Sequence, residues 1–159
     1  MLLEEVARAI AQFQTATDQI DEAAAANLGI NRTDLRCLGL LYGNGPMQAG
    51  QLGAAAQLSP GATTAAIDRL ERAGYVQRMR TSGDRRGVLV EMTPIARERL
   101  ENIYGPVGRA GMERLARYSE AELALMRDFL REGYRLQIEH VRRIRAASGA
   151  ADSNDVKPS

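Results

Sequence analysis

Apolar positions recur along most of this chain with a helical period. Leu3, Val6, Ile10, Phe13, Thr17, Ile20 and Ala24 are spaced alternately three and four apart, which predicts a first helix with one apolar seam, ended by Asn27-Leu28-Gly29. Asn31-Arg32-Thr33-Asp34 is rich in capping residues and opens a second helix presenting Leu35, Cys37, Leu38 and Leu41, which Gly43-Asn44-Gly45-Pro46 stops. A short helix over 49–56 follows, with Leu52 and the alanines expected on its inner side. Ser59 then reads as an N-cap with Pro60 at the first helical position. The helix it opens carries Thr63, Ala66, Ile67 and Leu70 on one face and stops at Gly74. This leaves Gly61, Ala62, Thr64, Ala65, Asp68 and Arg69 facing outward.

The period then changes. Tyr75-Val76-Gln77-Arg78 and Val88-Leu89-Val90-Glu91-Met92 read as two short strands around a tip bearing Asp84-Arg85-Arg86-Gly87. Helix, short helix, tight turn, helix and two-stranded hairpin make a winged helix-turn-helix. Thr93-Pro94 caps a further helix with Ile95, Leu100, Ile103 and Val107, which Gly105-Pro106 should kink or break. Ser119-Glu120-Ala121-Glu122 has the form of a capping box. It opens a long last helix with Leu123, Met126, Leu130, Tyr134, Ile138, Val141 and Ile144 along its seam. From Ser148 the composition predicts a disordered tail. The fold class is mostly α with a small β-wing. The expected divisions are a helical arm at 1–30, the winged domain at 31–93, arm helices at 94–147 and the tail at 148–159.

Composition narrows the chemistry. Hydrophobic residues make up 45% and aromatics only 4%, so the core is built from aliphatic side chains and alanine. Net charge is +1, yet the stretch from Ser59 to Gly87 holds six arginines against Asp68, Glu71 and Asp84. Adjacent arginines on a hairpin tip suit phosphates or a narrow minor groove. Arginine accounts for every basic residue but Lys157, which a GC-rich genome would also produce. A single cysteine excludes an intrachain disulfide framework. No apolar run approaches membrane-spanning length, and the acidic start Met1-Leu2-Leu3-Glu4-Glu5 is unlike a signal peptide, so a cytoplasmic protein is expected. A catalytic set would need His140, the one histidine, and neither a nucleophile motif nor a phosphate-cradling glycine loop accompanies it. The reading is therefore a binding protein without cofactor or metal. Cys37 sits at an inward helical position, where a thiol is unreactive.

From Asn31 to Arg97 the chain resembles the MarR family of bacterial transcription regulators. Leu52-Gly53 and Leu58-Ser59-Pro60-Gly61 match the start of that family's helix-turn-helix. The run from Ile67 through Arg69 to Val76 is similar to its recognition-helix exit. The run from Asp84 to Pro94 is similar to its wing signature. The resemblance implies a cytoplasmic homodimer on double-stranded DNA, most often a repressor on a palindromic operator, released by a small, often aromatic, acid. It also implies that Asp84 holds a wing arginine while Arg86 enters the minor groove.

The candidate DNA-binding residues are Ser59, Gly61, Ala62, Thr64, Ala65, Arg69, Arg78, Arg80, Asp84, Arg85 and Arg86. Position 65 is often arginine in the family and is alanine here, so the recognition helix offers no bidentate guanine contact, and Arg69 and the wing should carry a larger share. For Arg69 and Arg72 the rival role is pairing with nearby acids. Leu3, Val6, Ile10, Phe13, Leu130, Tyr134, Ile138 and Val141 are the candidate dimerisation residues, although a seam of this kind also packs within a chain. Tyr42 and Tyr104 rank first as effector-binding residues, against the plainer reading of packed tyrosines with hydroxyls at the surface. A winged-helix scaffold for protein contacts and a MarR-like activator are the alternatives.

Overall fold

A computed structural model describes residues 1–80 and 88–152, with the side chains of Arg80 and of 148–152 excluded. The elements are α1 (Leu2–Leu28), α2 (Arg32–Asn44), β1 (Met47–Gln48), α3 (Ala49–Ala56), α4 (Pro60–Arg72), β2 (Val76–Arg80), β3 (Val88–Met92), α5 (Pro94–Leu115) and α6 (Glu120–Asp152). They form two compact units, Met1–Pro106 and Val107–Ser159.

Local chemistry sets most boundaries. Gly29 takes a left-handed conformation (φ 68°) and its N–H bonds back to Ala25 and Ala26, a turn that glycine adopts without a Cβ penalty. The Asn31 side chain accepts the Asp34 N–H at 2.9 Å and starts α2. Ser59 caps α4 by accepting the Ala62 N–H, with Pro60 at the first position. Thr93 Oγ1 donates to the Gly74 carbonyl at 2.8 Å and accepts the Ala96 N–H, so one hydroxyl closes the exit of α4 and opens α5. The capping box at α6 is present: Ser119 and Glu122 exchange hydrogen bonds.

Leu38, Leu41, Leu52, Ala56, Ala66, Leu70 and Val90 are completely buried and form the centre of the first unit. The sheet is antiparallel in the order β1-β3-β2, with Met47 opposite Val90 and Arg78 opposite Val90 on the other side. β1 has no counterpart in the sequence pattern, because two residues are too few to show alternation. The α3–α4 turn is tight. A Cβ on Gly53 would lie 2.2 Å from Thr63 Oγ1, so only glycine fits there. Gln57 turns the chain in the left-handed region (φ 60°). The Tyr75 hydroxyl donates to the Leu28 carbonyl at 2.8 Å and accepts from Arg99 Nη1 at 2.9 Å, tying the end of α1 to the winged domain.

Three expectations need correction. The helix expected to kink or break at Gly105-Pro106 is not broken there and continues to Leu115 with Pro106 inside it, although the division between the units falls at that proline. Pro106 lacks an N–H, so it costs α5 one hydrogen bond without ending it. Where a tail is expected from Ser148, α6 continues to Asp152; residues 153–159 lie outside the described part. On α3 the inner alanines reduce to Ala56, with Ala49 partly buried, while Ala54 and Ala55 face outward.

Candidate nucleic-acid interface

The exposed face of α4 follows from its core spacing. Thr63, Ala66, Ile67 and Leu70 point inward, leaving Gly61, Ala62, Thr64 and Ala65 exposed together with Ser59. These side chains are small, so a duplex can approach the helix backbone closely. Thr64 Oγ1 donates to the Pro60 carbonyl at 3.1 Å, which occupies its hydroxyl proton and turns its remaining capacity toward accepting.

The arginines expected to grip DNA are arranged less simply. Arg69 makes a bidentate pair with Asp34: Nε donates to Oδ2 at 2.9 Å and Nη2 to Oδ1 at 2.7 Å. Asp34 is 1% exposed, so Arg69 supplies the counter-charge that lets a carboxylate lie beneath α2 and α4. The pair keeps the Arg69 guanidinium protonated more firmly than usual, chiefly through the hydrogen bonds to Asp34. Arg78, on β2, pairs with both Asp68 and Glu71 of α4. Arg72 donates to the Asp68 carbonyl at 3.2 Å. Both Arg69 and Arg78, placed among the DNA-contacting residues on sequence grounds, are thus committed to carboxylates. Arg80 closes β2, while Asp84, Arg85 and Arg86 lie outside the described residues.

Asp34 is the residue that sequence reasoning passed over, having read it only as part of a helix cap. Its spacing gave the signal. Asp34, Cys37, Leu38 and Leu41 stand at i, i+3, i+4 and i+7, so the acid occupies the inward face and requires a buried partner. Cys37 beside it is fully buried, and burial, with the Asp34 charge adding to it, pushes its thiol pKa up.

Tyr42 and Tyr104 come together on one cavity of about 610 Å³ between α1, α2 and α5. Arg32, Arg36, Leu35, Leu40 and Leu100 line it as well. Tyr42 donates to Glu101 at 2.7 Å beneath the Arg97 guanidinium, 5.4 Å from the ring centre. The Tyr104 hydroxyl donates to Asp21 at 2.8 Å, and burial together with that carboxylate pushes its pKa up to about 12. Arg36 Nη1 reaches the Ala56 carbonyl at 3.4 Å, at the C-terminus of α3.

The candidate dimerisation residues divide by element. Leu3, Val6 and Phe13 are exposed on α1 and Ile10 is half-buried; Leu130 and Tyr134 are exposed on α6, with Ile138 and Val141 half-buried. Leu115, Leu123, Met126, Leu130 and Tyr134 line a groove in the second unit. Among the described residues no helix is long and apolar enough to cross a membrane, and no three His, Cys, Asp or Glu side chains cluster to hold a metal.

Comparison with known proteins agrees with this architecture. The family model described as "MarR family" matches residues 30–88. The uncharacterized HTH-type transcriptional regulator YcgE of Bacillus subtilis is 35% identical over 131 residues, covering 82% of this chain and 85% of its own. A solved MarR family protein from Bacillus stearothermophilus shares the fold at a TM-score of 0.63 and 21% identity, covering 86% of this chain and 95% of that one. NadR, solved in complex with 4-hydroxyphenylacetate, shares it at 0.60 and 24% identity, over 80% of this chain and 90% of that one. Members of the matching family are transcriptional regulators, not enzymes. With a relative matched along most of both chains and the winged helix-turn-helix in place, the chain belongs to the MarR family.

Proposed function

We propose that this protein is a homodimeric, sequence-specific DNA-binding repressor that reads a palindromic operator and releases it when a small aromatic acid binds. The observation that carries the reading is the outer face of α4: a capped helix held on a buried core, whose first turns expose the small side chains of Gly61, Ala62, Thr64 and Ala65. Such a face suits a major groove. Its lack of long polar side chains shifts grip toward phosphates and operator shape, with Arg85 and Arg86 of the wing as the sequence-based candidates. The exposed apolar seams of α1 and α6 supply a surface for a second copy, which would set two α4 helices about one turn of DNA apart. The cavity suits the proposed effector: Arg36 offers a cation for a carboxylate, while Arg32 is already paired with Asp18 and Asp21, and Tyr42, Tyr104 and the leucines offer surface for a ring. The complex of NadR with 4-hydroxyphenylacetate supports that ligand class.

Selection from a pool of random duplexes tests the proposal. The expected result is a palindrome enriched by the wild-type protein, bound more weakly as salt rises and by Arg86→Ala. Addition of 4-hydroxyphenylacetate or a related aromatic acid should release it. Enrichment of no sequence at low salt would overturn the regulator reading in favour of a winged-helix scaffold.

A further inference from the structure

The two ion pairs of Arg78 have a meaning different from phosphate contact. Val76 and Arg78 lie on the same face of β2, by strand alternation. Val76 is buried against the core, and Arg78, two residues further along, meets the last turns of α4. There Asp68 and Glu71 stand three apart on one face of the helix. Arg78 Nη2 donates to Asp68 and Nη1 to Glu71, while the Arg78 backbone N–H donates to the second Glu71 oxygen at 3.3 Å. Both terminal nitrogens of the guanidinium are therefore engaged, each through one of its hydrogens, and the charge of Arg78 is already balanced by carboxylates before any phosphate approaches.

The acids themselves are the anomaly. Asp68 and Glu71 keep 49% and 41% of their side-chain surface, so their field reaches solvent beside the proposed reading face. Two carboxylates within a Debye length, roughly 8–10 Å, of a phosphate backbone oppose binding. With Arg78 in place the trio carries −1 instead of −2.

We propose that Arg78 is a positioning residue that shields α4: it binds Asp68 and Glu71 and cancels one of their charges, without itself holding DNA. This rests on the DNA-binding reading above. It separates Arg78 from the wing arginines with which sequence groups it.

A double-mutant cycle on a duplex enriched by the wild-type protein tests the proposal. Arg78→Gln is measured in the wild-type background and in Asp68→Asn/Glu71→Gln, with circular dichroism confirming helix content. The shield requires Arg78→Gln to weaken binding about tenfold in the first background and less than about twofold in the second, with the salt slope unchanged in both. The Asp68→Asn/Glu71→Gln protein alone should bind at least as tightly as wild type. Equal loss in both backgrounds, with the salt slope falling by about one, would show that Arg78 holds a phosphate and would overturn the proposal. A loss on Asp68→Asn/Glu71→Gln matching that on Arg78→Gln would reduce the trio to a mechanical clamp and overturn the shield. A wild-type protein that enriches no duplex fails the regulator reading first, and the shield falls with it. An enriched duplex with equal losses fails the shield alone.

Discussion

The winged core and the long helices that flank it use their apolar residues in opposite ways. Among the described residues, every buried side chain lies between Ala24 and Leu100. Phe13 on α1 is 72% exposed and Leu136 on α6 is 70% exposed, although both elements are long helices. The core satisfies its hydrophobic residues within one chain. The arms present theirs as continuous seams, which a soluble monomer rarely does on this scale. One region folds by burial against itself, and the other forms helices by local chemistry while its apolar seam stays exposed within the chain. Substitutions should therefore separate: core changes move thermal stability, and arm changes move oligomeric state.

The largest effect should come from breaking the arms. Phe13→Asp with Leu130→Asp should raise the dimer dissociation constant by about 100-fold or more while leaving helix content near wild type, read by sedimentation equilibrium and circular dichroism. A wild-type protein that sediments as a monomer at micromolar concentration would remove the second half of the comparison. Next is the buried charge of the core. Arg69→Ala strands Asp34 and should lower the melting temperature by roughly 5–10 °C, whereas Arg69→Met with Asp34→Leu should recover much of the loss. Equal melting of Arg69→Ala and wild type would mean that the pair is only superficial. Gly53→Ala should cost about 1–3 kcal/mol by forcing Thr63 away from α3, measured by urea unfolding, without altering the dimer. The smallest effect concerns Tyr104. Its folded-state pKa is raised from 10.0 to about 12, so its contribution to stability is complete below pH 10 and is lost as pH rises through about 12. Tyrosinate absorbance near 295 nm, compared with Tyr104→Phe, should show one phenol titrating late. A difference spectrum with an ordinary midpoint would place Tyr104 in open solvent.

The contrast also explains what could be read in advance. Caps at Asn31, Ser59, Thr93 and Ser119, and stops at Gly29 and Gly74, depend on residues within a few positions of each other. The inward faces of α2 and α4 follow from period alone. A local rule meets a longer-range outcome at two places: a kink or break is expected at Gly105-Pro106, yet α5 runs unbroken through it, and a tail is expected from Ser148, yet α6 continues past it. Helix propagation needs only one further hydrogen bond per residue, so a proline or a few polar residues near a long helix weaken it without ending it. Tyr42 and Tyr104 were paired as candidates on sequence grounds, and they do line one cavity.

By itself the sequence determined the order of the main elements, most of their caps, the buried sides of α2 and α4 and the small outer face of α4, because these depend on spacing and on chemistry within a turn or two. Tertiary structure alone decided where the charges go. Asp34 and Arg69 are 35 positions apart, and Arg78 lies ten from Asp68 on a different element. Ionic partners are chosen by proximity in space, and a guanidinium is equally able to take a phosphate or a carboxylate. Only packing α2 and β2 against α4 shows that both arginines already hold the latter.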